Sequence, residues 1–251
     1  MYRPTKNLRA LETEAKRKEE EAISHQQSHR NLQALHSYHC ALRAYLDIIR
    51  ELSGPQEVVV AERKTELIKQ AQASMRRAEK AKNLLEMEKR AGLFHETMDV
   101  SQDSTGFGYE TVFGCLIDDA LSHVHVKDPD LTHSHQIVGL VRFCEMLLKL
   151  APKMASISVT TAAATTNELR TTQRENLIDV RNDLLKRGLK FSVHFSKHIA
   201  TAEIRFDNGW VVSLSRGLNY FKPVPKFSLG SCDLDLRPCL DSVITIRFLP
   251  D

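Results

Sequence analysis

The sequence predicts two domains, an all-α antiparallel three-helix bundle followed by an α/β domain with a mixed sheet. Up to about residue 93, apolar side chains recur every three or four positions, which is the period of an amphipathic helix. After residue 104, helical segments alternate with short β-branched runs and one Asn-Gly turn. We therefore predict a bundle over residues 5–93, a polar linker over 94–104 and an α/β domain over 105–251.

The three helices of the bundle have apolar stripes of different strength. Residues 8–22 carry a thin stripe, whereas residues 35–52 follow a strict alternation of three and four. The run Ser53–Pro55 is predicted to end the second helix, because glycine adopts the left-handed conformation and proline cannot continue a helix. A third helix is predicted over 58–93. Short connections between long helices imply antiparallel neighbours.

The α/β domain is predicted from segments that alternate between helical and strand periods. Asp207, Asn208 and Gly209 predict a type I′ turn between two strands. This order of elements, with one hairpin, indicates a mixed sheet. The predicted helices are 111–120, 131–150 and 175–187, and the predicted strands are 122–126, 156–160, 189–195, 202–206, 210–215 and 243–249.

Composition and charge restrict the classes of function. The 35 basic and 32 acidic residues leave a net charge of +3, which is too small for a general nucleic-acid binder. The five scattered cysteines fit reduced intracellular thiols better than a disulfide framework. No signal peptide or spanning helix is evident in the hydropathy pattern. We therefore expect a cytoplasmic protein with peripheral membrane contact, no nucleic-acid partner and no cofactor.

Two polar clusters favour structural roles over chemistry. His123 and His125 have the same-face spacing of a metal site on a strand, but no cysteine or carboxylate set completes the site. Asp233 and Asp235 lie near Arg237 and have the residue types of an acid/base pair. We expect structural histidines, no metal, and an ion pair that anchors a loop.

Residues 198–222, HIATAEIRFDNGWVVSLSRGLNYFK, contain two strands and a turn at Asp207. This segment resembles the active-site strand of the phospholipase D family, which carries a histidine, a lysine two residues later and an aspartate five residues after the lysine. Counting back from Asp207, the lysine place holds Ala202 and the histidine place holds Ala200. Alanine cannot attack phosphorus or neutralise phosphate oxygens, so we expect no catalytic residues. The alternative is a divergent phosphodiesterase that uses His198.

One face of the third helix is predicted to bind a partner. Met75, Ala78, Glu79 and Lys82 share a face by their spacing. A three-helix bundle leaves a groove between its second and third helices, where Ala78 permits close approach and Met75 supplies adaptable apolar surface. This geometry suits an amphipathic partner helix. The alternative is that Met75 and Ala78 belong to the bundle core.

Longer stretches of sequence carry a family resemblance. SMRRAEKAKNLLEMEKR from Ser74 and NLQALHSYHCALRAYLDIIREL from Asn31 resemble the third and second helices of the MIT (microtubule-interacting and trafficking) domain. Segments 104–110, 142–146 and 216–221 resemble proteins in which a phospholipase D-like domain follows the MIT domain. The sequence is therefore similar to this two-domain family over nearly its whole length.

The family resemblance implies partners and a process. It implies that the Met75 groove binds C-terminal helices of ESCRT-III subunits (charged multivesicular body proteins), with Arg76 standing where the family has an aspartate. Only one half of a phospholipase D site is present, which implies a homodimer through the C-terminal domain. The implied process is cytokinetic abscission at the midbody, and the late endosome membrane is a further implied location.

A locally basic segment is the predicted surface for acidic phospholipid. Residues 186–226 hold eight Lys or Arg against two acids, and each cation near an acidic leaflet contributes about 1 kcal/mol. The alternative is a solvated surface with local ion pairs, and Arg205 is the weakest member because apolar residues flank it. The predicted headgroup-binding residues are Lys186, Arg187, Lys190, Lys197, Arg216, Lys222 and Lys226.

Overall fold

The computed structural model describes residues 8–52 and 58–249, and the chain divides into two compact units between Ala91 and Gly92. The helices of the first unit are α1 (Leu8–Gln27), α2 (Asn31–Glu51) and α3 (Val58–Arg90). The second unit contains a mixed sheet of seven strands with helices. The predicted fold class is therefore confirmed. The predicted helix end at Ser53–Pro55 lies outside the described residues.

Helix α2 packs against both α1 and α3 and supplies large core side chains. Tyr38, Tyr45 and Ile48 are fully buried. The Glu19 carboxylate on α1 accepts hydrogen bonds from the Tyr45 hydroxyl on α2 (3.0 Å) and from Ser74 Oγ on α3 (2.7 Å). Because a partly satisfied polar group is costly to bury, this shared contact helps to fix the register of all three helices.

The strands are β1 (His95–Val100), β2 (His123–Lys127), β3 (Ser156–Thr161), β4 (Lys190–Phe195), β5 (Ala202–Phe206), β6 (Trp210–Leu214) and β7 (Ser242–Phe248). Their order in the sheet is β1-β7-β6-β5-β2-β3-β4. The β2, β3 and β4 strands are parallel, and the other neighbours are antiparallel. The helices α5 (Ser134–Leu150) and α6 (Asn167–Lys186) connect the parallel strands. Right-handed crossovers in this order place both helices on one face of the sheet.

Strand direction defines two edges of the sheet. The parallel strands end at Lys127, Thr161 and Phe195, and we call this the carboxyl edge and the opposite one the amino edge. Strand β5 runs the other way and begins at the carboxyl edge, because Glu203 pairs with Lys127. The β4–β5 loop, residues 196–201, therefore lies at the carboxyl edge, where ligands usually bind in open α/β sheets.

The predicted linker over 94–104 is wrong at residues 95–100, which form β1 at one side of the sheet. This strand pairs antiparallel with β7, and Met98 lies opposite Ile244. Met98 and Val100 face the interior, whereas the alternate residues are exposed. A strand at the side of a sheet with one solvated face carries many polar residues, so its composition is similar to that of a linker.

Two helices of the second unit differ from their predicted bounds. The helix predicted over 111–120 is shorter, since α4 spans Tyr109–Phe113 and the chain then tightens into a 3-10 turn. Helix α6 begins at Asn167 instead of at residue 175, because the Thr166 hydroxyl caps it by accepting a backbone N–H of its first turn (3.3 Å). Residues 167–174, which precede the predicted helix, are therefore helical as well.

The β5–β6 hairpin is present, but the predicted type I′ turn is wrong. That turn needs positive φ at both central residues, whereas Asn208 does not have positive φ and Gly209 has φ 92°. The Gly209 N–H donates to the Phe206 carbonyl (3.1 Å), which gives a three-residue connection with glycine in the left-handed position. The Asn208 side chain donates to the Leu116 carbonyl (2.9 Å), so a tertiary contact helps to set the turn.

Candidate functional site

An apolar groove lies between α2 and α3 in the helical unit. The four predicted residues, Met75, Ala78, Glu79 and Lys82, all line it from α3. No residue of α2 was predicted to line this groove. The other lining residues, from both helices, are Leu35, His39, Leu42, Leu46, Ile49, Ile68, Ala71 and Gln72.

The groove presents apolar side chains to solvent. Met75 is 55% exposed, Leu46 is 48% exposed and Ile68 is 37% exposed. Contiguous exposed apolar surface of this kind marks interaction sites. Ala78, in contrast, is buried and packs in the cluster that contains Tyr38. The core alternative is therefore right for Ala78, which forms the floor of the groove, and wrong for Met75.

Charged and titratable groups border the apolar surface of the groove. Glu79 and Lys82 lie on the α3 side, and His39 lies on the α2 side. Burial lowers the pKa of His39, and the positive charges of Lys82 and Arg43 lower that pKa further. This shift favours the neutral imidazole of His39, and Lys82 adds a basic side chain to the border of the groove.

The degenerate phospholipase D strand is β5. Ala202 is buried at its start, and Ala200 lies exposed in the preceding loop. The Asp207 carboxylate accepts the backbone N–H groups of Ser122 (3.1 Å) and His123 (2.9 Å), so it anchors the start of β2. The first two motif places therefore hold no imidazole or ammonium group, and the third serves the fold.

The histidines of β2 bond to hydroxyl groups of the neighbouring strand β3. His123 Nδ1 lies 2.8 Å from Ser156 Oγ, and His125 Nδ1 lies 2.7 Å from Ser158 Oγ. Burial lowers the pKa of His125, and the neighbouring His123 lowers it further. In the described part of the chain, no group of three or more His, Cys, Asp or Glu is placed to hold a metal ion. These contacts give both histidines a structural role.

The single basic surface expected over 186–226 is wrong, because the structure separates its members. Lys186 and Arg187 end α6 and Lys190 begins β4, so these three lie at the amino edge. Lys197 follows β4 and Arg216 follows β6, so both lie at the carboxyl edge. Five residue steps along β4 separate the edges by about 17 Å. A flat lipid surface that contacts one edge of the sheet therefore reaches only the cations of that edge.

The other two predicted lysines, Lys222 and Lys226, lie on the loop 222–238. A β-bridge between Phe221 and Cys239 closes the base of this loop. The chain runs from the end of β6 into the loop and returns from it to the start of β7, and both of these strand ends are at the carboxyl edge. The base of the loop therefore belongs to the same side of the sheet as the β4–β5 loop.

Local ion pairs, the alternative considered for the basic segment, occur at three of its cations. The pairs are Arg187–Asp183 (3.2 Å), Arg205–Glu203 (2.7 Å) and Lys222–Asp103 (2.6 Å). Lys197 and Lys226 are exposed. The exposed cations of this segment that form no such ion pair are therefore divided between the amino edge, with Lys186 and Lys190, and the carboxyl edge, with Lys197, Arg216 and Lys226.

Loop 222–238 is not anchored by the predicted ion pair between aspartate and Arg237. Asp235 Oδ1 accepts the Gly108 N–H (2.7 Å). The Arg237 guanidinium instead donates to the carbonyls of Gly230 (2.6 Å) and Ser231 (2.7 Å). The Asp235 carboxylate thus joins the loop to the backbone of the domain at Gly108, whereas the Arg237 guanidinium stabilises the loop internally.

Among the helices of the described residues, none combines the length and the apolar composition that a membrane span needs.

Comparisons with known proteins agree with this architecture. A family model described as the phospholipase D-like domain at the C-terminus of MIT matches residues 106–247. MIT domain-containing protein 1 of Mus musculus is 37% identical over 174 residues, which cover 68% of this chain and 69% of that relative. The name of that relative denotes a domain and no enzymatic activity. The resemblance seen in the sequence is confirmed, and the chain belongs to the family of MIT proteins with a phospholipase D-like domain at the C-terminus.

Proposed function

We propose that this protein is a non-enzymatic adaptor that links C-terminal helices of ESCRT-III subunits to acidic phospholipid membranes during cytokinetic abscission. The observation that carries the proposal is the exposed α2–α3 groove, in which Met75 and Leu46 present apolar side chains to water. Family membership supports it. The proposed location is the cytoplasm, with peripheral binding to membranes at the midbody and the late endosome.

An amphipathic helix fits the chemistry of the groove. Apolar side chains on one face of such a helix bury the exposed parts of Met75 and Leu46, and the small Ala78 lets the partner backbone approach. Lys82 at the border pairs with a carboxylate of the partner. Arg76 is exposed next to Met75 and replaces the aspartate of the family pattern, which favours acidic residues on the partner helix.

The carboxyl edge is the proposed membrane surface. Lys197, Arg216 and Lys226 supply cations there, each worth about 1 kcal/mol near an acidic leaflet at distances within the Debye length. We also propose a homodimer through the C-terminal domain, since the chain carries one degenerate half of a phospholipase D site. A dimer presents two grooves to a repeating ESCRT-III polymer and so converts weak affinities into avidity.

The competing function is a divergent phosphodiesterase with a displaced nucleophile. His198 lies exposed in the loop before β5, two residues before the place of the family histidine. A shift of two residues along a strand moves a side chain by about 7 Å, which is too far for the same chemistry. Turnover of a soluble phosphodiester that disappears in His198→Ala would favour this enzyme over the adaptor.

The decisive test of the groove compares two methionines on α3. Met87 is 68% exposed but does not line the groove, so Met87→Asp is a matched control for Met75→Asp. We expect calorimetry with the full chain to show no binding of an ESCRT-III C-terminal peptide to Met75→Asp and normal binding to Met87→Asp. Circular dichroism should show unchanged helicity in both. Wild-type affinity in Met75→Asp refutes the groove assignment.

The lipid proposal has a separate test. We expect the full chain to sediment with vesicles of phosphatidylcholine and phosphatidylserine, and not with phosphatidylcholine alone. Binding should weaken as salt is raised from about 0.05 M to about 0.15 M, because screening shortens the reach of each cation. Absence of binding to acidic vesicles at low salt contradicts the membrane half of the adaptor function.

A further inference from the structure

The loop 222–238 carries the two most exposed large apolar side chains among the described residues. Phe227 is 95% exposed and Leu229 is 85% exposed. They are two positions apart, so they form one apolar tip, the name used below for this pair. Single exposed apolar residues are common on protein surfaces, but two adjacent ones at almost full exposure are unusual and indicate an interaction.

The backbone of the loop places both side chains at the outside of turns. The Ser228 N–H donates to the Pro225 carbonyl (3.1 Å), and the Ser231 N–H donates to the Ser228 carbonyl (3.2 Å). These are two consecutive β-turns. Phe227 is a central residue of the first turn, and Leu229 is a central residue of the second. The two side chains therefore project from the corners of a compact structure.

The turns below the apolar tip are fixed to the domain. The Arg142 and Arg237 guanidinium groups both donate to the Ser231 carbonyl (2.7 Å each), and Arg237 also donates to the Gly230 carbonyl (2.6 Å). Gly230 has φ 80°, and a Cβ atom there would lie 2.8 Å from the Arg237 Cα. The backbone that supports Phe227 and Leu229 is thus held in place before any ligand binds.

Positive charge lies next to the apolar tip. The Lys226 ammonium group lies 5.6 Å from the centre of the Phe227 ring. The segment 222–232 contains no acidic residue, and Asp233 is the first one along the loop. A convex apolar surface beside a cation matches the boundary between acyl chains and anionic headgroups, where apolar side chains enter the membrane and ammonium groups remain with phosphates.

We propose that the apolar tip inserts into the acyl region of an acidic bilayer while Lys226 binds headgroup phosphate. This inference rests on the proposed lipid-binding function and adds an apolar contribution to the electrostatic one. Because burial of Phe227 and Leu229 is not screened by ions, part of the vesicle binding should persist at salt concentrations that remove the contribution of the exposed lysines.

A tryptophan at the tip reports insertion directly. Trp210 is the only tryptophan of the sequence and is buried, so its emission is a constant background in the full chain. We expect the emission of Phe227→Trp to shift to the blue on addition of phosphatidylcholine–phosphatidylserine vesicles and to be quenched by brominated acyl chains. Ile178→Trp is the control, because Ile178 is 52% exposed on α6 outside the loop, and it should show neither change.

A second variant measures how much the apolar tip contributes to the affinity for vesicles. Phe227→Ser with Leu229→Ser should weaken vesicle binding by about tenfold or more, because burial of either side chain alone accounts for roughly that factor. Vesicle binding without quenching of Phe227→Trp, or with unchanged affinity in the double variant, overturns the insertion and leaves the lipid proposal standing. Failure of the wild type to bind acidic vesicles at low salt overturns both. A blue shift without lipid that grows with protein concentration identifies the tip as a contact between copies and also overturns insertion.

Discussion

The α2–α3 groove and the carboxyl edge of the sheet are two surfaces with different chemistry. The groove is lined by apolar side chains such as Leu46 and Met75, which lie on two packed helices. The edge presents long cationic side chains such as Lys197 and Arg216 from the ends of strands. Burial of apolar area needs a complementary shape and tolerates salt, whereas the attraction between cations and headgroups falls within a Debye length.

This contrast shows how one chain combines a binding surface that selects partners by shape with one whose affinity depends on charge and ionic strength. The shape of the groove restricts binding to helices with a matching apolar face, and the cations of the edge respond to lipid charge and ionic strength. The two surfaces also belong to different compact units of the chain. Substitutions in one surface should therefore leave the affinity of the other unchanged.

Among the comparisons of the two surfaces, the largest effect is expected from Leu46→Asp in the groove. Leu46 is 48% exposed, so the change places a carboxylate on the binding surface without removing a core side chain. We expect peptide binding to weaken by about thirtyfold, because the complex loses the burial of the exposed part of Leu46 and must also desolvate the introduced carboxylate. Calorimetry measures the affinity for the peptide, and sedimentation measures binding to acidic vesicles. Loss of both activities would show that the two surfaces are coupled.

A smaller effect is expected from the two ends of β4. Lys190→Gln and Lys197→Gln each remove one exposed cation, the first at the amino edge and the second at the carboxyl edge. We expect Lys197→Gln to weaken binding to acidic vesicles by about fivefold, the value of one cation near the leaflet, and Lys190→Gln to have no effect. An equal loss in both variants would mean that lipid contacts both edges, in contradiction to the assignment.

The α3 side of the groove was predictable because helical contacts follow local spacing. Met75 and Lys82 are two turns apart on one helix, so periodicity alone places them together. The α2 side had a signal as well. Leu42 and Ile49 form a stripe beside the buried Tyr38 and Tyr45, and a second apolar stripe on one helix indicates a second contact surface. The alternation of three and four over residues 35–52 contains both stripes and does not by itself separate them.

The edges of the sheet were not predictable from local spacing. Lys190 and Lys197 are near each other in sequence, but an extended strand between them places them at opposite edges. The composition of β1 predicts a linker, because this strand pairs with β7 from a distant part of the chain and its polar residues give no local sign of that partner. Surfaces built from strand ends depend on topology, which alternation in a single segment does not contain.

The smallest expected effect is a dependence of peptide affinity on pH, which should occur at the groove and not at the carboxyl edge. His39 lines the groove, and its pKa is already lowered by burial, by Lys82 and by Arg43. A bound apolar helix buries His39 further and lowers its pKa again, so the complex holds fewer protons than the free protein. By linkage, peptide affinity must fall as the pH drops below the free pKa of His39, which itself lies below its usual value. The proposed lipid contacts of the carboxyl edge come from lysine and arginine side chains instead of from a histidine.

Calorimetry at pH 7.5 and pH 5.5 measures this difference between the two surfaces. We expect peptide binding by the full chain to weaken by roughly threefold at the lower pH. A decrease of one unit in the pKa of His39 on binding would weaken the affinity by at most about tenfold. His39→Gln should remove most of the pH dependence, because glutamine keeps a polar side chain that does not titrate. Binding to acidic vesicles should not weaken over the same range. An identical pH dependence in the wild type and His39→Gln would show that the bound helix does not cover His39, and it would place the helix nearer to the α3 side of the groove.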